Sequence, residues 1–275
     1  AGGLVGAGGL VGLAVGLAAC LLILIWVRDE LGFDRFHRDG GRLYRLVLVD
    51  QRAEGTSYIR ELPSPVAPAL LAGFPEVEAA ARTYWGRFQV RHGDKAFNEN
   101  AVNFVDPEYF RIFSFPAVSG DAVAGLGSPS SVVLTEETAR KYFGGDEALG
   151  RTLNFDGQRD YTVAAVVHVP RNTDLGCDIY LPLRALEHWG VSAASLESNW
   201  RGRMYRTYVK LIPGADPRAL EDKTAGLMKP HNPNRDEAFR LQPLAQWHLY
   251  APDGTPAGKR LVVVLSLIAA LILVV

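Results

Sequence analysis

The first 27 residues of the chain contain no Asp, Glu, Lys or Arg, and this stretch limits the possible folds more than any other feature. A helix rises about 1.5 Å per residue, so such a segment reaches about 40 Å and can cross a hydrocarbon core of about 30 Å. A second uncharged stretch, Leu261–Val275, reaches about 22 Å before the sequence ends. We therefore predict a transmembrane helix at residues 1–27 and the start of a second at residues 259–275, in a piece of a longer membrane protein.

All of the charged side chains lie between these two stretches. The 29 basic and 30 acidic residues make up about a quarter of residues 28–260, which is ordinary for a soluble domain. The net charge of −1 leaves no excess of basic side chains for a nucleic-acid partner. The sequence thus predicts a soluble domain over residues 28–258 between two membrane helices.

The first apolar segment carries Gly8, Gly12 and Gly16 at intervals of four, which places them on one helix face. Small residues on one face allow another helix to approach closely in lipid, so we predict a helix-packing surface there. General glycine enrichment of membrane helices explains the same pattern equally well. Trp26, next to the first charges, is typical of an interfacial anchor.

A signal peptide or a lipid anchor accounts for less of this first segment than a membrane span does. A cleaved signal peptide needs a basic leader, which is absent. Leu17–Cys20 resembles a lipoprotein processing box, but Leu21–Val27 continues apolar where a lipoprotein has a polar tether. Cys20 and Cys177 are not expected to pair, because Cys20 falls inside the predicted bilayer.

The region between the apolar stretches has mixed α and β patterns. Asp156-Gly157 is a turn signal between two strand candidates, and Thr135 and Asp216 are helix N-cap candidates, as is Asp106 before Pro107. We predict strands at residues 43–50, 87–92, 100–105, 131–134, 151–155, 161–169, 204–212 and 239–247. We predict helices at residues 65–73, 75–82, 108–113, 136–143 and 217–229.

Local motifs for catalysis are absent from the sequence. Residues 145–152 imitate a phosphate-binding loop with Arg151 in place of Lys, but the predicted context is helix then strand, the reverse of what that loop needs. The six histidines are scattered without metal-ligand spacing, and there is no GxSxG elbow. We therefore predict no catalytic, cofactor-binding or metal-binding residues and no cofactor.

Several stretches together resemble the start of an FtsX/MacB-like ABC transporter permease. The first match is the segment Gly12–Cys20 within the first apolar stretch. The residues that follow, in the ranges Val27–Glu30, Phe33–His37 and Leu43–Arg45, match a family motif close to ExxYDxFHxxxxxIYR. Later matches are Val105–Phe115, Ser131–Thr135 with Ala139–Thr152, and Tyr161–Asp178. Ala148 departs from the family, which often has Pro there. The family motif after the first helix comprises Glu30, Asp34, Phe36, His37, Tyr44 and Arg45.

This resemblance implies a membrane protein with an α+β extracytoplasmic domain, the MacB-like periplasmic core, in two lobes flanked by transmembrane helices. It implies a multi-pass protein of the bacterial inner membrane with two further helices, working as a homodimer or with a second permease, in contact with membrane lipids. The partner would be a cytoplasmic ABC ATPase, separate or fused, whose nucleotide cycle moves the extracytoplasmic domain. The substrate is not readable, and exporters, lipoprotein-releasing and regulatory members all fit.

Two other classes of protein remain open from the residues alone. An extracytoplasmic sensor domain of a two-helix signalling receptor has the same layout, but its second span would lead to a coiled coil or a phosphotransfer domain. A membrane-anchored hydrolase needs a convergent polar pocket, which a single sequence does not display.

Overall fold

Two long apolar helices flank a mixed α and β domain. The computed structural model describes residues 3–145 and 147–274, with side-chain surroundings for residues 11–145 and 147–273. Helix α1 is Gly3–Gly32 and helix α8 is Ala257–Val274. Within the described residues one stretch, Val11–Gly32 with a mean hydropathy of 2.3, is long and apolar enough to cross a membrane by length and composition.

The domain is built on twelve strands joined into one hydrogen-bonded sheet. The strands are β1 Leu43–Arg52, β2 Gly55–Ile59, β3 Glu61–Pro63, β4 Val77–His92, β5 Lys95–Val105, β6 Ala117–Gly120, β7 Ser131–Thr135, β8 Thr152–Phe155, β9 Arg159–Val167, β10 Ile179–Pro182, β11 Arg203–Leu211 and β12 Asp236–Pro243. The main order is β12-β1-β11-β4-β5-β10-β7-β9-β6, with β2, β3 and β8 paired beside it. Most pairs are antiparallel, whereas β10 with β5 and β7 with β9 are parallel.

Six short helices cover this sheet. They are α2 Val66–Gly73, α3 Tyr109–Ile112, α4 Ala122–Gly125, α5 Glu136–Phe143, α6 Ala193–Ser198 and α7 Pro217–Thr224. The Thr135 hydroxyl caps α5 by accepting from the Thr138 N–H at 3.2 Å, and Asp216 caps α7 just before Pro217. Both caps were predicted from sequence, as was the turn between β8 and β9, where Asp156 and Gly157 both have positive φ.

The predicted helix at residues 75–82 is wrong, because residues 77–82 belong to the first half of strand β4. The Glu and Ala residues of this segment favour a helix, but residues 77–82 pair along β11, and β5 pairs with β4 from Thr83 onward. Ala80 and Ala81 are both buried and face opposite sides of the sheet, so packing on two faces overrides the local preference. The predicted strands at residues 87–92 and 100–105 belong to one long hairpin of β4 and β5.

Three other sequence predictions change in extent or role. The predicted helix at 217–229 ends at Thr224, and the predicted strand at 239–247 ends at Pro243, where a 3-10 helix, Leu244–Gln246, follows. Asp106 does not cap α3 with its side chain, because its carboxylate instead accepts two hydrogen bonds from the Arg82 guanidinium at 2.8 and 2.9 Å.

The expected two lobes share one sheet. One sheet face carries two separate hydrophobic clusters, one under α2 and α7 that includes Val209 and one under α5 that includes Tyr205. The other face carries a single central cluster rich in aromatic side chains, with Tyr208 and Trp247. The two lobes are therefore joined through hydrogen-bonded strands, and the central aromatic cluster lies on the face to which α3 belongs.

Candidate functional site

The end of helix α1 is bound to the loop between β9 and β10, which we call the 172–174 loop. The Asp34 N–H donates to the Asn172 carbonyl at 3.0 Å, and the Asn172 side-chain amide donates to the Gly32 carbonyl at 3.3 Å. The Asp34 carboxylate accepts from the Thr173 hydroxyl and from the Asp174 N–H. Asp34 is only 2% exposed and has a φ of 58°, a left-handed conformation that Asp tolerates better than most residues. Burial raises the pKa of its carboxyl.

His37, three residues further on, is buried against the aromatic cluster beneath α3. Its Nδ1 accepts from the Ser114 N–H at 2.9 Å, and its Nε2 lies 3.8 Å from the Asp34 carboxylate. The rings of Phe36, Phe113 and Phe115 surround the imidazole. Burial lowers the pKa of His37 to about 4, so the imidazole is neutral at neutral pH and packs as part of the core.

The last two motif residues lie on β1. The Tyr44 hydroxyl donates to the Gly41 carbonyl at 3.3 Å. The Arg45 Nε donates to the Gln242 side-chain oxygen at 2.8 Å, and its guanidinium lies 5.5 Å from the centre of the Trp247 ring. Burial lowers the pKa of Arg45 to about 10, which still leaves it charged. Arg45 therefore ties β1 to the segment that leads into α8.

Glu30 meets a residue that the sequence did not indicate. Its carboxylate lies 2.7 Å from Nε2 of His248, and Nδ1 of the same imidazole lies 3.1 Å from the Asp174 carboxylate. The Phe33 ring stacks on the His248 ring with centroids 3.5 Å apart and an angle of 6° between the planes. Partial burial lowers the pKa of His248, but the carboxylates of Asp174 and Glu30 outweigh this effect and raise it.

We call Glu30, Phe33, Asp174 and His248 the junction. Its members come from the last turn of α1, the turn after it, the 172–174 loop and the segment before α8. Sequence reasoning missed His248 because its partner Glu30 is 218 positions away. Its only sequence signal is its place nine residues before α8 begins, which does not set it apart from the other histidines.

The three glycines of α1 have different surroundings. A Cβ on Gly16 would lie 3.5 Å from the side chain of Ile272 in α8, whereas a Cβ on Gly12 would have no atom within 4 Å. Both glycines line an apolar groove of about 650 Å³ along α1 and α8. Gly8 belongs to α1 but lies outside the residues whose surroundings are described. Close to this face the Cys20 thiol, fully buried, donates to the Ala269 carbonyl at 3.6 Å.

The segment that imitates a phosphate-binding loop lies in a context that does not suit phosphate binding. Residues 145–152 lie between α5 and β8, the helix-then-strand context expected from the sequence, with Asp146 outside the described residues. Among the side chains that the structure describes, no group of three or more His, Cys, Asp or Glu is arranged to hold a metal ion. The motif residues instead fasten α1, β1 and the entrance of α8 to one another.

Comparison with known proteins gives one family match and several structural likenesses. A family model described as the MacB-like periplasmic core domain matches residues 10–227. No curated protein matches the chain. A domain assigned to a permease of Porphyromonas gingivalis is similar, with a TM-score of 0.65 and 24% identity over 76% of this chain and 92% of that one.

Two further solved structures share the fold at lower identity. The periplasmic region of MacB from Actinobacillus actinomycetemcomitans has a TM-score of 0.55 and 18% identity, covering 74% of this chain and 89% of that one. The extracellular domain of the noncanonic ABC-type transporter YknZ from Gram-positive bacteria has a TM-score of 0.52 and 14% identity, covering 73% of this chain and 99% of that one. At these identities the likeness is one of fold.

Proposed function

We propose a function from the family to which the chain belongs, the MacB-like periplasmic core domains, as its motifs predicted. The chain is a permease subunit that couples a cytoplasmic ABC ATPase to movement of its own extracytoplasmic domain. The family is a permease component of ABC transporters and is not itself catalytic. ATP hydrolysis is accordingly assigned to a partner chain or domain. The movement would serve export or the transmission of force to a partner outside the cytoplasm.

The single observation that carries this proposal is the attachment of α1 to the domain. α1 continues without a break from Gly3 to Gly32, and hydrogen bonds from the 172–174 loop hold its end. Asp34, just after the helix, is buried in the same contact. Because packed elements move as units, a shift or tilt of α1 would be delivered directly to the base of the domain.

The remaining parts of the assembly follow from the family and are proposed with it. We place the chain in the bacterial inner membrane as a multi-pass protein, with α8 as a second span and the domain outside. The apolar groove beside Gly12 is open to a neighbouring helix or to lipid, and small residues there suit close helix packing. We propose that two permease copies, identical or different, pair in the membrane.

The proposal is tested by following the domain through the ATP cycle. Spin labels are placed singly at Arg35, at the base, and at Asp94, in the hairpin between β4 and β5; both residues are exposed. In the full-length permease reconstituted with its ATPase, distances between the two copies should change when ATP is trapped. An ATPase variant unable to bind nucleotide should abolish the change, because a ligand shifts a conformation only through differential binding.

A matched variant separates attachment from general stability. Thr173→Val keeps the side-chain shape but removes the hydroxyl that donates to Asp34, so the distance change should shrink while ATP binding persists. Ser195→Ala, at a half-buried site in α6 away from this contact, is the control. Distances that stay fixed through the ATP cycle but change when a small molecule is added outside would refute the permease proposal and favour the sensor.

A further inference from the structure

The junction contains an imidazole whose two nitrogens both face carboxylates. Nε2 of His248 lies 2.7 Å from Glu30, and Nδ1 lies 3.1 Å from Asp174. An ionised carboxylate only accepts hydrogen bonds, and a neutral imidazole carries only one N–H. Both contacts can therefore be hydrogen bonds only when His248 is an imidazolium, which donates from both nitrogens.

The surrounding groups favour the charged ring. Phe33 lies flat on the His248 ring, so its π face is available to a cation. Asp34 adds a third nearby acidic group, and its attraction to His248 partly offsets the burial that raises the pKa of the Asp34 carboxyl. Arg45 on β1 interacts with Asp174 and is the basic group on that side. With a neutral imidazole, one of the two contacts would bring an acceptor against an acceptor.

We infer that His248 is a positioning residue that holds the entrance of α8 to α1 and to the 172–174 loop only as an imidazolium. It acts through Glu30 and Asp174. Its effect on transport rests on the proposed function, whereas its effect on the junction does not. The carboxylates of Asp174 and Glu30 raise the pKa of His248. The two His248 hydrogen bonds are therefore fully formed below the ordinary histidine pKa and are lost as the pH rises through the pKa of His248 in the folded protein.

The junction can be measured directly in the full chain. Spin labels at Leu31, in the last turn of α1, and at Ala245, three residues before His248, report the distance between α1 and the entrance of α8 from exposed positions. In lipid nanodiscs, their distance distribution should be narrow near pH 5 and should broaden in one step as the pH is raised toward about 9. Isotope-labelled His248 should titrate with the same midpoint.

Substitutions distinguish a protonation-dependent role from simple packing. Glu30→Gln or Asp174→Asn should lower the midpoint by about one pH unit, because each removes a negative charge that favours the imidazolium. His248→Gln should give a broad distribution at every pH. His248→Lys, which keeps a positive charge through neutral pH, should restore a narrow one.

A second histidine provides the matched control. His168 also faces a carboxylate, with Nδ1 2.6 Å from Glu136, but it is exposed and lies at α5, outside the junction. His168→Gln should leave the midpoint unchanged. A wild-type midpoint at or below the ordinary histidine pKa of about 6.5, or an unchanged profile in His248→Gln, would overturn the inference.

The two proposals fail in different ways. In the reconstituted transporter, coupling of ATP hydrolysis to domain movement should fall along the same pH profile as the junction. A pH-dependent junction distance with no response to trapped ATP would refute the permease proposal but not the inference about His248. ATP-driven movement with an identical pH profile in wild type and His248→Gln would refute the inference about His248 but not the permease proposal.

Discussion

Substitution of Asp34 gives a graded test of how the family motif fixes the end of α1. Asp34 combines a left-handed backbone with φ of 58° and a buried carboxylate that accepts from Thr173 and Asp174. Ala in the left-handed region costs about 1–2 kcal/mol. Loss of the accepted hydrogen bonds costs about 1 kcal/mol more, at the low end of the usual range because the substitution also removes the cost of burying the Asp34 carboxylate.

The expected loss for Asp34→Ala is therefore about 2–3 kcal/mol, which lowers the midpoint of thermal unfolding by about 5–10 °C. Asp34→Asn should cost less than about 1 kcal/mol, because Asn tolerates the same φ and keeps an oxygen for the Thr173 hydroxyl. Asp34→Gly should fall between them, since glycine removes the strain but not the lost bonds. The measurement is thermal unfolding of the full chain in nanodiscs, followed by near-UV circular dichroism.

Asp156, the other non-glycine residue with positive φ among those that the structure describes, serves as an internal standard. Asp156, with φ of 52°, lies in the exposed turn between β8 and β9. The difference between Asp156→Ala and Asp156→Gly measures the backbone cost alone in the same chain. If Asp34→Ala destabilises no more than Asp34→Asn, or if Asp34→Gly is worse than Asp34→Ala, the account of this position is refuted.

Three further outcomes are expected. The free energy of unfolding should fall as the pH drops from about 6.5 to about 4, because the pKa of His37 is lowered to about 4 in the folded protein and the unfolded chain takes up a proton first. Unfolding midpoints measured over this pH range should depend less on pH in His37→Asn than in the wild type. Gly16→Leu should separate α1 from α8 in cross-linking more than Gly12→Leu does, because a side chain at Gly16 meets Ile272 whereas one at Gly12 has no atom within 4 Å. Equal effects would contradict these surroundings. A fragment of residues 28–258 should be soluble and folded without detergent, because its content of charged residues is that of an ordinary soluble domain; gel filtration and circular dichroism test this. Aggregation of the fragment while the full chain stays folded would count against this domain boundary.

Much of the fold was predictable because local signals and packing agree. The strand β7 and the helix α5 were found through β-branched residues followed by an N-cap Thr135 and two acidic residues in the first turn. The hairpin of β8 and β9 was found through Asp156-Gly157. In these cases neighbouring residues determine the backbone, so a single sequence contains the information.

The errors arise where distant partners decide the structure. Residues 75–82 have helix-favouring side chains, yet residues 77–82 form a strand because they pair with β11, more than 120 positions later in the chain. Asp106 has the sequence signal of a helix cap, but its carboxylate forms a hydrogen-bonded ion pair with Arg82, 24 positions away. Strand pairing and ion pairing of this kind depend on sequence separations that no local pattern encodes.

The candidate site shows the same division. The motif from Glu30 to Arg45 was located by resemblance, and the structure brings Glu30, Asp34, His37 and Arg45 to the base of the domain. The partners of these residues, the 172–174 loop and His248, come from elsewhere in the chain. Gly8, Gly12 and Gly16 share a helix face by spacing, but only the structure shows which neighbour Gly16 contacts.

The topology explains why a residue near position 248 reaches the end of α1. β1 begins soon after α1, β12 ends shortly before α8, and the two strands are antiparallel neighbours from Tyr44 opposite Pro243 to Gln51 opposite Asp236. The chain therefore enters β1 and leaves β12 at the same end of this strand pair, so both helices attach at one edge of the sheet. His248 lies in the short return from β12 to α8 and so falls beside the last turn of α1. A relative movement of the two helices must then act on both the β1–β12 ladder and the junction. The junction, held by two contacts to one imidazolium, is the part of this linkage that the loss of a proton can release.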